Sequence, residues 1–588
     1  MDTSETNKVR VIAVDFESFY AKGFDISSLG SWHYLNDPRC DIYLMGVAGD
    51  GIAWAGHPKD FDWSLLNGAF IIAHNLAWDG LVLAKLSRDG VIPADIEFAG
   101  GGCTANMACF LGAPRNLAGA ARELLGADVT KDLRTWMKGR SWQDAVDAGR
   151  EGELREYVMR DAQTCFDLWQ RHSPSWPDNE RKLAHLTMTM GWRGVRIDPG
   201  RVDESTRALD MVMWEARNAI PWADGDSAVL SIKALGEHCR AAGVAPPAST
   251  AEDDPACVEW ERVNGDKFPW VSAMRTWRKT NTLREKLRTM IDRTRPTDGC
   301  MGFGLKYFGA HTGRWSGDSG FSVHNLPRGE SHGADLRACI VPRPGKTFIV
   351  CDLSQIEPRV LAWLSGDTIM LDQLANGVPI YEAHARATMG WTGGNLKKEN
   401  AELYALAKAR LLGLGYQCGP ARFVEVARNM AGIVISQQQA TRTVESFRSS
   451  NRKITALWAS LQNDFHRSKG GDFVVELPSG RRLTYRDVRS SGGWTARVTS
   501  GGPRFSIYGG RIVENLCQAV ARDVFGECLL RLHRAGVEVV FHVHDEAVCE
   551  VDPGTDPREI ERLMSVTPDW LDGCPLAAEA VVTTHYCK

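Results

Sequence analysis

Apolar runs that stop abruptly at acidic residues punctuate this chain. Val9 to Val14 reads as a strand running into Asp15-Phe-Glu17, and a period of two places both acids on one side. Phe70-Ile-Ile-Ala-His-Asn-Leu-Ala-Trp-Asp79 predicts a second strand leading into a turn and a helix, with Asn75 and Asp79 four residues apart and Asn75 placed to cap. Glu153 to Asp161 has helical spacing that puts Tyr157 and Asp161 on one face. Thr347-Phe-Ile-Val-Cys-Asp352 predicts a buried strand, and apolar and polar residues alternate around Asp545-Glu546 within Phe541–Val551. Lys408 and Tyr416 lie eight residues apart on a predicted helix, and Asn515 and Gln518 share a face of another that spans about 508–523.

The length of 588 residues and 44% hydrophobic content predict several cores in roughly three or four units. No stretch approaches the roughly 18 apolar residues of a membrane span. Met1-Asp-Thr-Ser-Glu-Thr-Asn lacks a secretory pattern, so the cytoplasm is the expected compartment. Fifteen scattered cysteines lack zinc-knuckle spacing and read as reduced thiols. The net charge of −4 neither indicates nor excludes a nucleic-acid partner. Arg275 to Arg295 is locally basic on a helical pattern: either a solvated face or a stripe that tracks phosphates. Ser173-Pro-Ser-Trp-Pro177 reads as a linker, and Met190–Asp198 begins a new unit.

Asp352 and Asp545, if they meet in space, supply the oxygen ligands magnesium prefers. A pair of such ions about 4 Å apart can clamp the attacking and leaving oxygens of a phosphoryl transfer. A surface hairpin with ordinary charges is the competing reading of His544-Asp545-Glu546. Near the N-terminus the ordered set Asp-x-Glu, Asn-x-x-x-Asp, Tyr-x-x-x-Asp resembles the DEDDy 3′-to-5′ exonucleases. That resemblance implies that Asp15, Glu17, Asp79 and Asp161 hold two divalent ions and that Tyr157 orients the attacking water.

From Met190 onward the order of motifs resembles DNA polymerase family A, so that the two resemblances together cover nearly the whole chain. Thr312-Gly-Arg-Trp-Ser316 with Asn325-Leu-Pro327 looks like the segment gripping the primer-template minor groove, with Arg314 and Asn325 as DNA contacts. Asp352-Leu-Ser-Gln-Ile-Glu-Pro-Arg359 looks like motif A. The resemblance makes Asp352 a metal ligand, places Gln355 at the nucleotide, and sets Glu357 beneath the incoming sugar to exclude a 2′-hydroxyl. Pro358 suits the first turn of the following helix. Lys408 to Tyr416 looks like an altered motif B: Lys408 meets the nucleotide phosphates, Leu412 stands where relatives have an aromatic residue, and Tyr416 packs near the templating pair. Tyr404 replaces the family's arginine, with Arg410 or Lys398 as substitutes, and Gln417 replaces a common glycine. Asn515 and Gln518 are expected at template or primer. His544-Asp545-Glu546 looks like motif C, with Asp545 the second polymerase metal ligand, Glu546 auxiliary and His544 near the primer end.

The fold class expected is α/β and α+β multidomain: an RNase H-like 3′-5′ exonuclease domain over 1–175, then a right-hand polymerase over 176–588. Within the latter the thumb is expected at about 200–300, the fingers at about 371–440 and the palm at about 301–370 and 441–588. The resemblance implies a DNA-directed DNA polymerase with proofreading, acting on primer-template DNA and deoxynucleoside triphosphates. It further implies two Mg2+ ions per active site, replaceable by Mn2+, in a monomer without a membrane partner, on a compact plan like that of phage replicative enzymes. Which replisome proteins it meets is not legible. The alternative is a DNA-binding 3′-5′ exonuclease whose polymerase half has decayed, motivated by Tyr404 and Gln417; a non-catalytic replication scaffold is a third reading.

Overall fold

The computed structural model of the protein describes residues 9–129, 132–252, 254–318 and 321–587. Five strands open the chain: β1 (Val11–Ser18), β2 (Ile42–Gly49), β3 (Ile52–Gly56), β4 (Phe70–Ala73) and β5 (Gly100–Cys103). They form one mixed sheet in the order β3-β2-β1-β4-β5, with β1 antiparallel to β2 and parallel to β4. Apolar residues run on without alternation in β1 because both of its faces are covered. Ile12 and Val14 enter one core, while Ala13 joins Ile72, Cys165 and Trp169 in another.

Helix α1 (Leu76–Arg88) follows β4, and α2 (Glu151–His172) lies across β1 and β2. The seating of α2 depends on Gly46, which pairs with Asp15 across the strands. A Cβ at Gly46 would stand 2.4 Å from the Val158 carbonyl oxygen of α2. Asn75 occupies the position before α1 but makes no side-chain cap bond, so the capping expectation fails. The proposed linker is a packed connection. Trp176 is buried against Trp169 and Tyr307, and its indole donates to the Tyr307 hydroxyl at 3.4 Å. One apolar core therefore continues from the first sheet into the rest of the molecule.

Next come α3 (Asp178–Arg193), α4 (Pro199–Asn218) and the long α5 (Pro269–Arg293), with α4 packed along α5. Asp198 starts α4 by accepting from the Gly200 and Arg201 amides, and Pro199 loses nothing at the first helical position. The basic run on α5 is not an open stripe. Arg275 is 1% exposed and bonds Glu261 and the Thr250 and Ala251 carbonyls. Arg278 holds the Val229 and Leu230 carbonyls, Arg284 pairs with Asp210 and Asp226, and Arg295 pairs with Asp298. Most of that charge is spent within the helical region 199–295, leaving Lys286 reaching the Asn325 carbonyl at 3.0 Å.

The second sheet combines β6 (Thr347–Leu353), β7 (Glu538–Val543), β8 (Glu546–Val551) and β9 (Ala578–Thr583) in the antiparallel order β7-β8-β6-β9. Between β6 and β7 the chain forms α6 (Ile356–Ser365), α7 (Ile380–Thr388), α8 (Leu396–Glu399), α9 (Ala401–Ala409), α10 (Gln437–Ser450) and α11 (Arg452–Arg467), and then α12 (Gly509–Arg534). A π-helical segment, Arg410–Leu414, continues α9. Helix α12 is buried along most of its length. Cβ atoms at Gly509 and Gly510 would lie 2.2 and 2.3 Å from the carbonyl oxygens of Trp458 and Tyr416, so these glycines allow backbone to meet backbone. Among the described residues no helix is long and apolar enough to cross a membrane, and the cysteines carry no disulfide.

Candidate active site

Strand pairing brings the two distant acidic motifs together. Asp352 faces Glu546 across β6 and β8, and the Leu353 amide donates to the Asp545 carbonyl at 3.2 Å. The turn between β7 and β8 contains only His544 and Asp545, with His544 at φ +57°. A left-handed residue other than glycine costs on the order of 1 kcal/mol, a strain that the flanking buried strands impose. Burial, then the Asp352 charge, raises the Asp545 carboxyl to about 7. Glu546 instead turns into the protein and accepts from the Tyr586 hydroxyl at 2.8 Å, and Tyr586 is itself held by Arg337.

Arg314, Trp315, His324, Arg522, His544 and Asp545 wall one pocket. Arg314 pairs with Glu357 in the first turn of α6, which joins the expected minor-groove residue to the expected sugar gate. Gln355 precedes α6 at φ +54°, and its side-chain oxygen is buried without a hydrogen-bond partner. Asn325 lies apart on an exposed turn beside Lys286, Lys306 and Asp318.

Lys408 is half-buried on α9, Leu412 lies in the π-helical segment, and Tyr416 is buried beyond it. Burial holds the Tyr416 phenol well above its ordinary value, with Cys517, Glu357 and Glu514 adding to the effect. Gln417, at φ +68°, accepts from the Gly510 amide at 2.7 Å, so the replacement of a glycine is accommodated by a bond to α12. Asn515 donates to the Tyr485 hydroxyl at 2.9 Å, and Gln518 stands one turn further along the same face. Arg410 does not reach toward Lys408's side. It is buried beneath Phe447, its Nε 3.3 Å from the His384 ring, and burial lowers it to about 10.

A buried network that sequence reading missed fixes the Arg314 loop. Arg522 on α12 forms a two-pronged pair with Glu180 on α3 at 2.5 and 2.8 Å, lies over Trp315, and donates to the Gly313 carbonyl at 3.0 Å. Asp523 holds Arg481 at 2.8 Å, and Arg481 donates to the Thr312 carbonyl at 2.9 Å. The available signal was Arg522-Asp523 inside an otherwise apolar helix, where charges persist only when paired.

A second acidic cluster lies on the first sheet. Asp15 and Glu17 project from β1, Asp79 from the first turn of α1, and Tyr157 and Asp161 from α2. Burial raises Asp15 well above the carboxylate range, and Glu17, Asp79 and Asp161 push the same way. Burial likewise raises Asp79 to about 8, although the Phe16 amide donates to it. Tyr157 is held protonated by burial and by the charges of Glu17 and Asp161. Arg134, also missed from sequence, lies among these charges; its desolvation is outweighed only by Glu17, Tyr157, Tyr20 and Asp15 together, which raise it. One Asp15 oxygen, Oδ2, is buried without a hydrogen-bond partner. Among the described residues no three or more His, Cys, Asp or Glu stand close enough together to hold a metal ion.

Comparison with known proteins gives the family and the fold. The model of DNA polymerase family A matches residues 257–582, more than half the chain. The DNA polymerase of Bacillus phage SP02 is 26% identical over 683 aligned positions, covering 99% of this chain and 100% of that one. DNA polymerase I of Aquifex aeolicus is 28% identical over 353 positions, 58% of this chain and 54% of that protein. The chain thus spans the whole phage enzyme but about half of the Aquifex one. The fold also matches a solved polymerase domain of Pol1 from M. smegmatis, in complex with DNA primer-template and dNTP. The TM-score is 0.68 at 16% identity, with 98% of this chain and 96% of that one covered. The chain belongs to DNA polymerase family A and is a DNA-directed DNA polymerase.

Proposed function

We propose that nucleotide addition is centred on Asp352 and Asp545, and that a separate 3′-5′ proofreading site is built from Asp15, Glu17, Asp79, Asp161 and Tyr157. The observation that carries the first assignment is the pairing of β6 with β8, which sets Asp352 beside the Asp545 turn. Enzymes of this family use divalent metal ions. The donor set fits magnesium: Asp545, raised by burial and then by the Asp352 charge, pairs with Asp352 as two carboxylates whose charge a dication neutralises. The orphaned Asp15 oxygen in the N-terminal cluster fits the same chemistry. Two Mg2+ ions at each site would lower the pKa of the attacking hydroxyl or water and neutralise charge on the phosphate.

The remaining work falls to the chain. Lys408 draws the triphosphate to α9 as a point charge, and Tyr416 walls the templating position. Glu357, held by Arg314, occupies the space a 2′-hydroxyl would need. Arg314 and His544 line the same pocket as Asp545 and receive the primer end, with Asn515 and Gln518 along the α12 face toward the duplex. Asn325 contacts DNA farther out. Glu546, bonded to Tyr586, acts by holding the β7–β8 turn rather than by touching substrate. In the N-terminal site Tyr157, a neutral phenol, orients water for attack on a frayed 3′ end.

Extension and degradation of a labelled primer-template, matched and mismatched, test both assignments. Asp545→Ala abolishes extension and spares excision, and Asp15→Ala does the reverse. Loss of both activities from either folded variant would refute the two-site assignment, and absence of excision from the unaltered protein would refute proofreading.

A further inference from the structure

Where the family resemblance leads one to expect an arginine, α9 carries Tyr404, and the structure sets another cation over that residue. Tyr404 precedes Lys408 by one turn on α9, so the ring and the ammonium line one helical face. The Nζ of Lys397 lies over the Tyr404 ring at 6.0 Å from its centroid. Lys397 belongs to α8, a single turn that is pinned in place: Leu396 is fully buried, and its amide donates at 2.9 Å to Glu382, a buried carboxylate also held by Arg386. The other edge of the platform points to the catalytic corner. Tyr381 meets Tyr404 edge-on at 5.6 Å, and its phenol feels the charges of Glu357 and Asp545. Among the described residues neither Lys397 nor Lys408 has a carboxylate partner. Lys397 thus lies over the ring and Lys408 stands one helical turn from it along α9, while Arg410 is buried over Phe447.

We propose that Lys397, carried over the ring of Tyr404, is a second triphosphate-binding residue of the nucleotide site, in place of the missing arginine. This rests on the reading of Lys408 as a phosphate contact. The ring is the seat and the ammonium the ligand, so the phenol hydroxyl has no part in it. Because α8 is anchored, little ordering is needed on binding.

Single-nucleotide extension tests it, with dNTP KM, kcat, pyrophosphate inhibition and primer-template Kd measured for each variant. Lys397→Gln is expected to raise dNTP KM and the pyrophosphate inhibition constant about tenfold, as for loss of one phosphate contact, with kcat and primer-template Kd little changed. Lys397→Arg restores most of the loss, and Tyr404→Leu reproduces part of the defect. Lys397 is exposed, so its variants fold, and an unchanged melting temperature checks this. If Lys408→Gln raises dNTP KM and Lys397→Gln does not, the inference fails while the nucleotide site stands. If Lys408→Gln has no effect, the nucleotide-site reading falls and takes the inference with it. Weaker primer-template binding with unchanged dNTP KM in Lys397→Gln would make the residue a DNA-backbone contact and overturn the proposal.

Discussion

Gly46 shows how a residue without a side chain can set the geometry of an acidic cluster. It pairs with Asp15, and the missing Cβ lets the α2 backbone approach the sheet until Tyr157 and Asp161 stand over the β1 acids. Gly46→Ala would place a carbon 2.4 Å from the Val158 carbonyl oxygen, so α2 must move. The expected result is a loss of excision of at least about tenfold, since displacements of about 1 Å carry such costs, with extension retained. Parallel excision and extension assays on one preparation decide it; equal loss of both would mean general unfolding. The acids of both proposed sites stood out in sequence because each ends or punctuates a strand or helix of clear periodicity. Gly46 was not, because nothing local distinguishes it from a turn glycine.

At the scale of elements, α12 ties the second sheet to the segment that carries Arg314. Arg522 and Arg481 each grip a carbonyl of Thr312-Gly313, the residues just before Arg314, and Glu180 and Asp523 compensate their charges. Glu180→Gln leaves the Arg522 guanidinium buried with weaker compensation, a change that costs about 3 kcal/mol when one partner of such a pair is lost. A lower melting temperature is expected together with a raised primer-template Kd and unchanged dNTP KM. A lower melting temperature alone would confine the network to a structural role. Residues 180 and 522 are hundreds of positions apart, so their pairing had no local signature. The basic run on α5 misled for the same reason: its partners Asp210, Asp226 and Glu261 become neighbours only when the helices fold back.

Across the whole molecule, buried histidines weaken the fold as pH falls. His384 is fully buried and lowered to about 3 by burial and by Arg410, and burial lowers His324 to about 4. Both are neutral in the fold and protonate readily in the unfolded chain, near 6.5. The stability they contribute is therefore complete above about 6.5 and is lost as pH falls toward about 3, by up to roughly 4 kcal/mol for His384. His384→Gln keeps an acceptor for Arg410 and cannot titrate, so its melting temperature should fall less steeply between pH 6.5 and 4. Parallel curves for variant and parent would refute that role.

Order and periodicity along the chain were sufficient to name the family, to pick out candidate acids and to place them on strands and helices, because those choices depend on neighbours within a few residues. Which charges meet, which basic residues are spent inside the protein, how Glu546 is turned toward Tyr586 and where Lys397 comes to rest were settled by packing between distant segments. Short-range geometry is written in the order of residues; the compensation of a buried charge depends on contacts that exist only once the chain has folded.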